Sequence, residues 1–375
     1  MTKYLRLRMD WYHIKNIDQL DTPALVVYPE RVKQNIATAI SIVGDVTRLR
    51  PHVKTHKCIE VTQLMLEAGI TKFKCATIAE AEMLCMCKCP DVLLAYQPIG
   101  PKLQRFIKLV RTYPDTQLSC LVDNLTAAQE ISGEAIKNNI VVPVYIDLNV
   151  GQNRTGIKPD DRALAFYYEC RQLAGIETIG LHAYDGHIHA PDLTARTLES
   201  DGAFEMTKAL KDKIEKESGV NLIVIAGGSP TFPIHAKREG VECSPGTFVY
   251  WDKGYSSFTE QPFLPAALVV TRVISQPDTT KLCLDLGHKS IAAERELKTR
   301  VFLMDALGLE ALSQSEEHLV VEAGEGHNYK EGDVIYGMPY HVCPTVALYE
   351  RAITIENSHV SGEWKNIARD RKINI

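Results

Sequence analysis

The 375-residue chain lacks any uninterrupted apolar run of the roughly 18 residues that a membrane-spanning helix needs. Its first ten residues interleave Lys3, Arg6 and Arg8 with Tyr and Leu, so they lack the apolar core of a signal peptide. Basic charge is not in excess either, because 42 Lys and Arg against 47 Asp and Glu give a net charge of −5. Nucleic acids and anionic membranes are recognised by clustered positive charge. These absences predict a soluble cytoplasmic protein that binds neither nucleic acid nor membrane.

Cysteine is too sparse for a disulfide framework, with 10 residues in the whole chain. Cys85, Cys87 and Cys89 lie at two-residue spacing beside Met83 and Met86. We interpret them as reduced, partly buried thiols at a helix end, because a metal site would need a second cluster or nearby histidines.

From Thr22 to about Phe263, short apolar or β-branched runs alternate with longer segments of helical periodicity. Pro23–Tyr28 has the pattern of a first strand, and Pro29–Val43 that of a helix that opens on proline. Eight such β/α units in about 240 residues predict a parallel (β/α)8 TIM barrel. The other predicted strands are Leu49–Val53, Lys72–Ala76, Asp91–Ala95, Leu118–Val122, Val142–Leu148, Glu177–Ala183 and Leu222–Ala226.

After Pro265 the pattern changes to short alternating strands separated by turns, without a long helical segment. We therefore predict a barrel domain over 21–264, a mainly β C-terminal domain over 265–375, and an N-terminal segment, 1–20, that packs on the β domain. The strands predicted for the second domain are Ala267–Ile274, Lys281–Leu286, Glu317–Glu322, Asp333–Gly337 and Thr345–Glu356.

A basic octapeptide, Arg50 to Lys57, begins at the predicted second strand and extends beyond its end. Catalytic groups of such barrels lie at the carboxyl ends of the strands. A lysine held there, partly desolvated, can act as a nucleophile or base. Lys54 is therefore a candidate Schiff-base lysine, although an ordinary basic loop accounts for the octapeptide equally well.

Two loops after predicted strands are suited to bind anions. The sequence GGSPT places Gly227, Gly228 and Ser229 after an apolar strand, where glycines allow close backbone approach and exposed N–H groups bind phosphate. Arg154, in the loop after another strand, can hold an anionic oxygen of a substrate or cofactor. A glycine turn without a chemical role remains the alternative for the first loop.

Three histidines and a tyrosine cluster at the end of one predicted strand: His182, Tyr184, His187 and His189. A single histidine is usually structural. Three at a catalytic strand end favour the interpretation that one of them titrates in function.

The sequence PYHVCPT in the second domain places His341 and Cys343 two residues apart. In an extended segment such residues point to the same side, so the imidazole and the thiolate can converge on one cation. With only two obvious protein ligands, the pattern favours an open metal site completed by water or substrate, if a metal binds at all.

Together these segments resemble the fold-type III pyridoxal-phosphate enzymes, and within them the metal-activated branch that contains eukaryotic-type D-serine dehydratase and D-threonine aldolase. The resemblance extends from Leu20 to Thr345 and implies a barrel like the N-terminal domain of alanine racemase. Alanine racemases have a different lysine motif and lack the His-x-Cys pair, which disfavours simple racemisation. The motifs that carry the resemblance are PHVKTHK at 51–57, YDGH at 184–187, GGSPT at 227–231, PGTFVYWD at 245–252 and HVCPT at 341–345.

The resemblance implies residue roles around the cofactor. Lys54 would form the Schiff base with pyridoxal 5′-phosphate, and Arg154 would approach the phenolic oxygen of the cofactor. Tyr184 would line the ring, while the phosphate would be held by Gly227, Gly228 and Ser229.

The resemblance also implies the metal site and the reaction. His341 and Cys343 would bind Zn²⁺, or another divalent metal such as Mn²⁺ or Mg²⁺, beside the β-hydroxyl of a D-3-hydroxy amino acid. If Lys54 removes the Cα proton and the hydroxyl leaves, D-serine gives pyruvate and ammonia, and D-threonine gives 2-oxobutanoate. If His187 deprotonates the hydroxyl instead, the Cα–Cβ bond breaks and D-threonine gives glycine and acetaldehyde.

We favour the dehydratase because Cys343 supplies a soft ligand that selects zinc, and because aldolases of this branch more often carry a carboxylate there. D-threonine aldolase is the alternative. A pyridoxal-phosphate carrier without turnover is a third hypothesis, disfavoured because such carriers consist of the barrel alone, and a barrel enzyme without this cofactor is a fourth. The branch also implies a homodimer.

Overall fold

The computed structural model describes residues 11–375, so residues 1–10 of the predicted N-terminal segment lie outside the described residues. The chain divides into two compact units. The division places 21–35 and most of 249–264, which we predicted in the barrel, with the β-rich unit instead. The β-rich unit contains the described residues up to Asn35, Val249–Ser257 and Phe263–Arg369, and the barrel unit contains Ile36–Phe248, Phe258–Pro262 and Asp370–Ile375.

Nine α-helices lie in the part of the chain that the structure describes, and no described helix is long and apolar enough to cross a membrane. The predicted helix Pro29–Val43 is confirmed. The helices are α1 (Pro29–Val43), α2 (Ile59–Glu67), α3 (Ile78–Met86), α4 (Pro101–Thr112), α5 (Leu125–Lys137), α6 (Asp161–Cys170), α7 (Leu193–Ser218), α8 (Phe232–His235) and α9 (Val342–Leu348).

A curled parallel sheet of seven strands, paired in chain order, forms the centre of the barrel unit. All its strands are parallel because a helix or loop returns the chain across the sheet between them. The fold class that we predicted, a barrel plus a mainly β domain, is confirmed. The seven strands are β2 (Lys72–Cys75), β3 (Asp91–Leu94), β4 (Gln117–Val122), β5 (Val142–Leu148), β6 (Ile176–Ala183), β7 (Ile223–Ala226) and β8 (Val241–Cys243).

The predicted second strand, Leu49–Val53, is not a regular strand. It makes single parallel bridges on both sides, from Leu49 to Cys243 in β8 and from His52 to Lys74 in β2. The segment thereby links the two edge strands of the sheet. It ends in the short 3₁₀ helix Val53–Thr55, which carries Lys54.

The barrel interior contains a buried ion network near the amino-terminal end of β3. Arg50 is fully buried and donates to both carboxylate oxygens of Asp91 at 2.6 and 2.8 Å, and to Glu242 at 2.7 Å. Lys72 also pairs with Glu242. Because every charge has a partner, the network stays buried at a tolerable desolvation cost. A layer of apolar side chains lies in the same interior: Leu93, Leu121, Tyr145 and Ile225.

The β-rich unit is built on a nine-stranded sheet that includes β1 (Ala24–Val27). Strand β1 pairs antiparallel with β9 (Ala267–Ser275) and parallel with β15 (Arg351–Glu356). Our assignment of this segment to the barrel was therefore wrong. All four of its residues are buried, and a buried apolar run does not reveal which sheet it joins. The other strands are β10 (Lys281–Leu284), β11 (Val301–Leu303), β12 (Glu310–Gln314), β13 (Leu319–Glu322), β14 (Val334–Pro339) and β16 (His359–Lys365).

The predicted strand Thr345–Glu356 was half wrong, because the chain first forms α9 and then β15. Pro344 lies in the first turn of α9, where the missing N–H would have no intrahelical partner. The N-terminal segment contributes Tyr12, Ile14 and Leu20 to an apolar cluster of this unit that also contains Leu268.

Candidate active site

A cavity of about 250 Å³ lies at the carboxyl ends of the barrel strands. Three cationic side chains line it, and no carboxylate does so among the described residues. A larger groove of about 620 Å³ beside α7 contains none of the residues that we predicted for function. The cavity is lined by His52, Lys54, Lys74, Ala76, Ala95, Tyr96, Arg154, Thr155, His182 and Tyr184.

Lys54 is half-buried at the edge of this cavity. Its backbone N–H donates to Nδ1 of His52 at 3.2 Å, which fixes the start of the 3₁₀ helix. Burial, together with the neighbouring Lys54 cation, holds the pKa of His52 well below its usual value. The imidazole of His52 is therefore neutral, and its Nδ1 is free to accept that hydrogen bond.

Of the three histidines clustered at the end of the predicted strand, His182 is the one that lines the cavity, and it forms a buried pair with Asp147. Nδ1 of His182 lies 2.8 Å from Oδ1 of Asp147. Burial lowers the pKa of His182 despite this contact. Burial alone would raise the pKa of Asp147, but its contacts with His182, Thr155 and Gln97 together lower it. The pair is thus an ionised carboxylate and a neutral imidazole whose Nε2 has no partner.

Arg154 and Tyr184 both line this cavity. The guanidinium carbon of Arg154 lies 5.3 Å from the centroid of the Tyr184 ring. Cβ atoms built on two glycines would approach this ring, to 3.1 Å at Gly228 and to 2.3 Å at Gly186. Tyr184 therefore packs directly on the GGSPT loop, where larger side chains would collide with it.

The GGSPT loop is held rigidly by its own polar side chains. Oγ of Ser229 accepts from the N–H groups of Gly246 and Thr247, at 3.3 and 3.1 Å. Gly227 has a φ of +79°, and a Cβ there would lie 2.6 Å from the His235 ring. A glycine at 227 and a serine at 229 therefore suit the local geometry of the loop.

Asp185, which follows β6, connects the end of that strand to the GGSPT loop. Its carboxylate accepts from Oγ1 of Thr231 and contacts Nε2 of His235, both at 2.8 Å. Burial alone would raise the pKa of Asp185, but the hydrogen bonds from His235 and Thr231 lower it. Asp185 thus supports the candidate phosphate loop.

His187 does not line the cavity. Its ring lies against Gly151, where an added Cβ would be 2.4 Å from Nε2. Nδ1 of His187 is buried without a hydrogen-bond partner, and the backbone oxygen of His187 lies 2.7 Å from Nδ1 of His189. The catalytic role that we assign to His187 stays a prediction.

The candidate metal pair lies in the β-rich unit. His341 is the N-cap residue of α9 and Cys343 lies in the first helical turn, so the extended segment that we expected is wrong. The two side chains are nevertheless hydrogen-bonded to each other. Nδ1 of His341 lies 2.7 Å from Oε1 of Glu294. Burial opposes protonation of His341, but the contacts with Cys343 and Glu294 outweigh it and raise its pKa to about 9.

Asp252 holds the start of α9, where His341 and Cys343 lie. One of its carboxylate oxygens accepts from the N–H of Val342 at 3.0 Å, and the other accepts from that of Tyr255 at 3.1 Å. Burial raises the pKa of Asp252 to about 6. Among residues 11–375 no three His, Cys, Asp or Glu side chains converge as a metal centre, so the pair offers two protein ligands.

Sequence reasoning missed Lys74, which is 2 % exposed and lines the cavity beside Lys54. The available signal was the alternation in Lys72-Phe73-Lys74-Cys75, which places both lysines on one face of β2. Which face points into the barrel depends on the neighbouring strands.

Comparisons with known proteins agree with this architecture. Residues 27–253 match the family model of the alanine racemase N-terminal domain, and residues 266–355 match that of a serine dehydratase domain. The chain is 27% identical over 360 residues to a D-threonine aldolase from Arthrobacter sp., which covers 94% of this chain and 93% of that protein. It is 28% identical over 244 residues to the D-threo-3-hydroxyaspartate dehydratase of Delftia sp. strain HT23, covering 62% of each.

Two solved structures share the fold. The D-threonine aldolase from Filomicrobium marinum superposes with a TM-score of 0.84 at 23% identity, over 93% of this chain and 95% of that one. A cysteine-to-alanine variant of D-threo-3-hydroxyaspartate dehydratase in the metal-free form gives a TM-score of 0.81 at 22% identity, over 93% and 98%.

Proposed function

The chain belongs to the family of the alanine racemase N-terminal domain, and from this premise we propose that it is a pyridoxal-phosphate-dependent lyase of D-3-hydroxy amino acids. The observation that carries the proposal is the cavity where Lys54, Arg154 and Tyr184 meet at the strand ends. The two curated relatives, an aldolase and a dehydratase, both act on amino acids of this class.

The residues of the cavity fit this cofactor. The three cationic side chains, with no carboxylate of residues 11–375 in the lining, suit a ligand with several negative charges. Ser244 donates its N–H to the carbonyl oxygen of Ala226, directly before the GGSPT loop, and its buried hydroxyl has no partner. A Cβ at Gly228 in that loop would crowd the Tyr184 ring. When bound, pyridoxal phosphate supplies an electron sink for negative charge at Cα of an amino acid. The residues proposed to hold it are Lys54, Arg154, Tyr184, Gly227, Gly228 and Ser229.

Side chains of the cavity would transfer protons to and from the substrate. We assign to Nζ of Lys54 the removal of the Cα proton, because it is the lysine that the 3₁₀ helix holds at the cavity edge. His182, kept neutral by burial and fixed by Asp147, presents Nε2 as an acceptor. The positive lining favours the negative charge that develops as the proton leaves.

His341 and Cys343 fit an open divalent metal site. An imidazole and a thiolate form a soft donor pair that selects Zn²⁺ over Mg²⁺ or Mn²⁺, and two protein ligands leave positions for water or substrate. A bound metal supplies Lewis acidity to a poor leaving group such as a hydroxyl. A variant of the related dehydratase is described in a metal-free form, which supports a metal in enzymes of this kind.

Within this class we favour dehydration of D-serine to pyruvate and ammonia, and of D-threonine to 2-oxobutanoate. Cys343 offers a thiolate at the position where, by the resemblance, aldolases more often carry a carboxylate. Cleavage of D-threonine to glycine and acetaldehyde is the second candidate. It is favoured by the 27% identity to a D-threonine aldolase over nearly the whole chain.

A paired product assay separates these activities. The purified protein, supplied with pyridoxal phosphate and Zn²⁺, is offered D-serine and D-threonine separately. Oxo-acid formation that EDTA abolishes would establish the metal-dependent dehydratase, and glycine plus acetaldehyde would establish the aldolase. Formation of none of these products from either substrate would contradict both assignments.

We further propose that the protein is a homodimer, as its metal-activated relatives suggest by resemblance. Light scattering of the purified protein should give the mass of two chains. The mass of one chain at micromolar concentration would contradict this.

A further inference from the structure

Resting on the proposed function, we propose that Lys74 is a specificity-determining residue that binds the α-carboxylate of the amino acid substrate. None of the motifs assigned to the cofactor includes this lysine. It lies on the barrel lining itself, not in a loop, so its position is fixed by the sheet.

The strand geometry directs Lys74 into the cavity. Lys74 pairs in register with Leu93 of β3, which belongs to the apolar layer inside the barrel. Lys72, two residues earlier, reaches Glu242 in the interior ion network. Since residues i and i+2 of a strand share a face, Lys74 points inward too, one step nearer the carboxyl end. Its Nζ lies 5.4 Å from the centroid of the Tyr184 ring.

Lys74 is buried without a countercharge in contact. Among the described residues, Asp147 and Asp185 influence it only at a distance, and neither forms a hydrogen bond with its amine. Burying an ammonium without a partner is costly. Burial and the neighbouring Lys54 accordingly lower the pKa of Lys74 to about 7. An anionic ligand group in the cavity would supply the missing partner.

The other charges of the reacting complex already have candidate partners. The GGSPT loop is assigned to the cofactor phosphate, and Arg154 to its phenolic oxygen. The substrate amine condenses with the cofactor, and the substrate hydroxyl is a neutral group. The α-carboxylate is the anion that remains. Lys74 is the cation that remains, in a cavity that no carboxylate of the described part of the chain lines. A charge-assisted hydrogen bond between them would make carboxylate recognition specific.

The test measures binding, so it does not depend on turnover. Holoenzyme is titrated with D-alanine and with D-alaninamide, and the dissociation constants are read from the absorbance of the bound cofactor. Neither ligand has a β-hydroxyl that can leave. The intrinsic difference between their amines cancels when the ratio of constants is compared between variants.

We expect the wild type to prefer D-alanine over its amide and Lys74→Met to reduce this preference by about 10- to 100-fold. Lys74→Arg should keep part of it, because the charge remains. Lys72→Met is the matched control, since Lys72 lies on the same strand and face but contacts Glu242, and its ratio should equal that of the wild type.

An unchanged ratio in Lys74→Met would overturn the inference while the proposed function stands. Equal weakening of both ligands would also overturn it, because it would assign Lys74 a structural role. If the wild type bound no cofactor, the proposed function itself would fail, and the inference with it.

Discussion

Asp147 holds His182 through a contact of 2.8 Å between Oδ1 and Nδ1, and Nε2 of the same imidazole is left without a partner. A carboxylate that accepts from one ring nitrogen fixes both the orientation of the ring and the nitrogen that carries the proton. The orientation and tautomer of His182 therefore depend on a residue of the neighbouring strand, β5, whereas its neutral state comes from burial.

Asp147→Asn should disturb this arrangement without removing the cofactor. An amide can present its NH₂ group to Nδ1 and so favour the other tautomer, in which Nε2 carries the proton. We expect kcat/KM to fall by about tenfold or more while the amount of bound cofactor is retained. In proton NMR, the downfield signal of the Nδ1 proton should be present in the wild type and absent from the variant. A variant with both this signal and full activity would refute the role of the pair.

Lys54→Ala should abolish the near-visible absorbance of covalently bound pyridoxal phosphate, because no other lysine is assigned to bind it. The matched control is Lys57→Ala, in the same octapeptide, where the lysine pairs with Glu80 instead of lining the cavity. The control should keep the band. A band that persists after Lys54→Ala would show that the assignment is incorrect.

His341→Ala and Cys343→Ala should each keep that absorbance but lose bound metal and most turnover, since each removes one of two protein ligands. Metal content per chain, measured by elemental analysis, checks the first part and product formation the second. Cys87→Ala is a suitable control, because Cys87 is another partly exposed thiol, located in the barrel unit. Metal-replete, fully active variants of the pair would refute the site.

His187→Asn should separate the two reactions. An aldolase that uses His187 to deprotonate the β-hydroxyl would lose carbon–carbon cleavage, whereas a dehydratase would retain elimination. Product analysis with D-threonine distinguishes 2-oxobutanoate from glycine plus acetaldehyde. Undiminished acetaldehyde formation by the variant would exclude His187 as that base.

Lys74→Met should stabilise the cofactor-free protein, and more at pH 6 than at pH 9. The pKa of Lys74 is lowered from its usual 10.5 to about 7 in the folded protein. Below pH 7 the lysine is protonated in both states, and the folded state bears the full cost of the buried charge. As the pH rises above 7, the folded lysine loses its proton and this cost declines until about pH 10.5.

The difference between the two pH values should be on the order of 2 kcal/mol in the free energy of unfolding. Urea unfolding of the wild type and Lys74→Met at both pH values measures it. A stabilisation of equal size at pH 6 and pH 9 would mean that Lys74 does not titrate in this range.

Local patterns in the sequence were sufficient to locate most barrel strands. Val142–Leu148 is a strand over the predicted residues, and Asp91–Leu94 and Ile176–Ala183 differ from their predictions by one residue. Their apolar runs are bounded by clear turns. The rule that functional groups of a barrel lie at the carboxyl ends of its strands then selected Lys54 and Arg154 as candidates. Both residues line the same cavity in the structure.

The remaining features depend on contacts that are distant along the chain. Strand β1 looks like a barrel strand, and only its pairing with β9 and β15 shows otherwise. Strand β8 has only three residues, too few for a periodic signal. The importance of Lys74 becomes visible only when the neighbouring Leu93 defines the inside of the barrel.

The buried Arg50 connects two strands of the barrel sheet, β8 and β3, through ion pairs. The segment around it adds only isolated backbone bridges to β8 and β2, yet its guanidinium binds carboxylates on β8 and β3. If the segment 49–52 separated locally from β8 and β2, the charges of Arg50 and its partners would be left unpaired in a low-dielectric interior. The free-energy cost of those unpaired charges far exceeds that of losing two backbone bridges. Amide hydrogen exchange of residues 49–52 should therefore be as slow as in a regular strand. Lys54, which follows this segment, is then held in a fixed position.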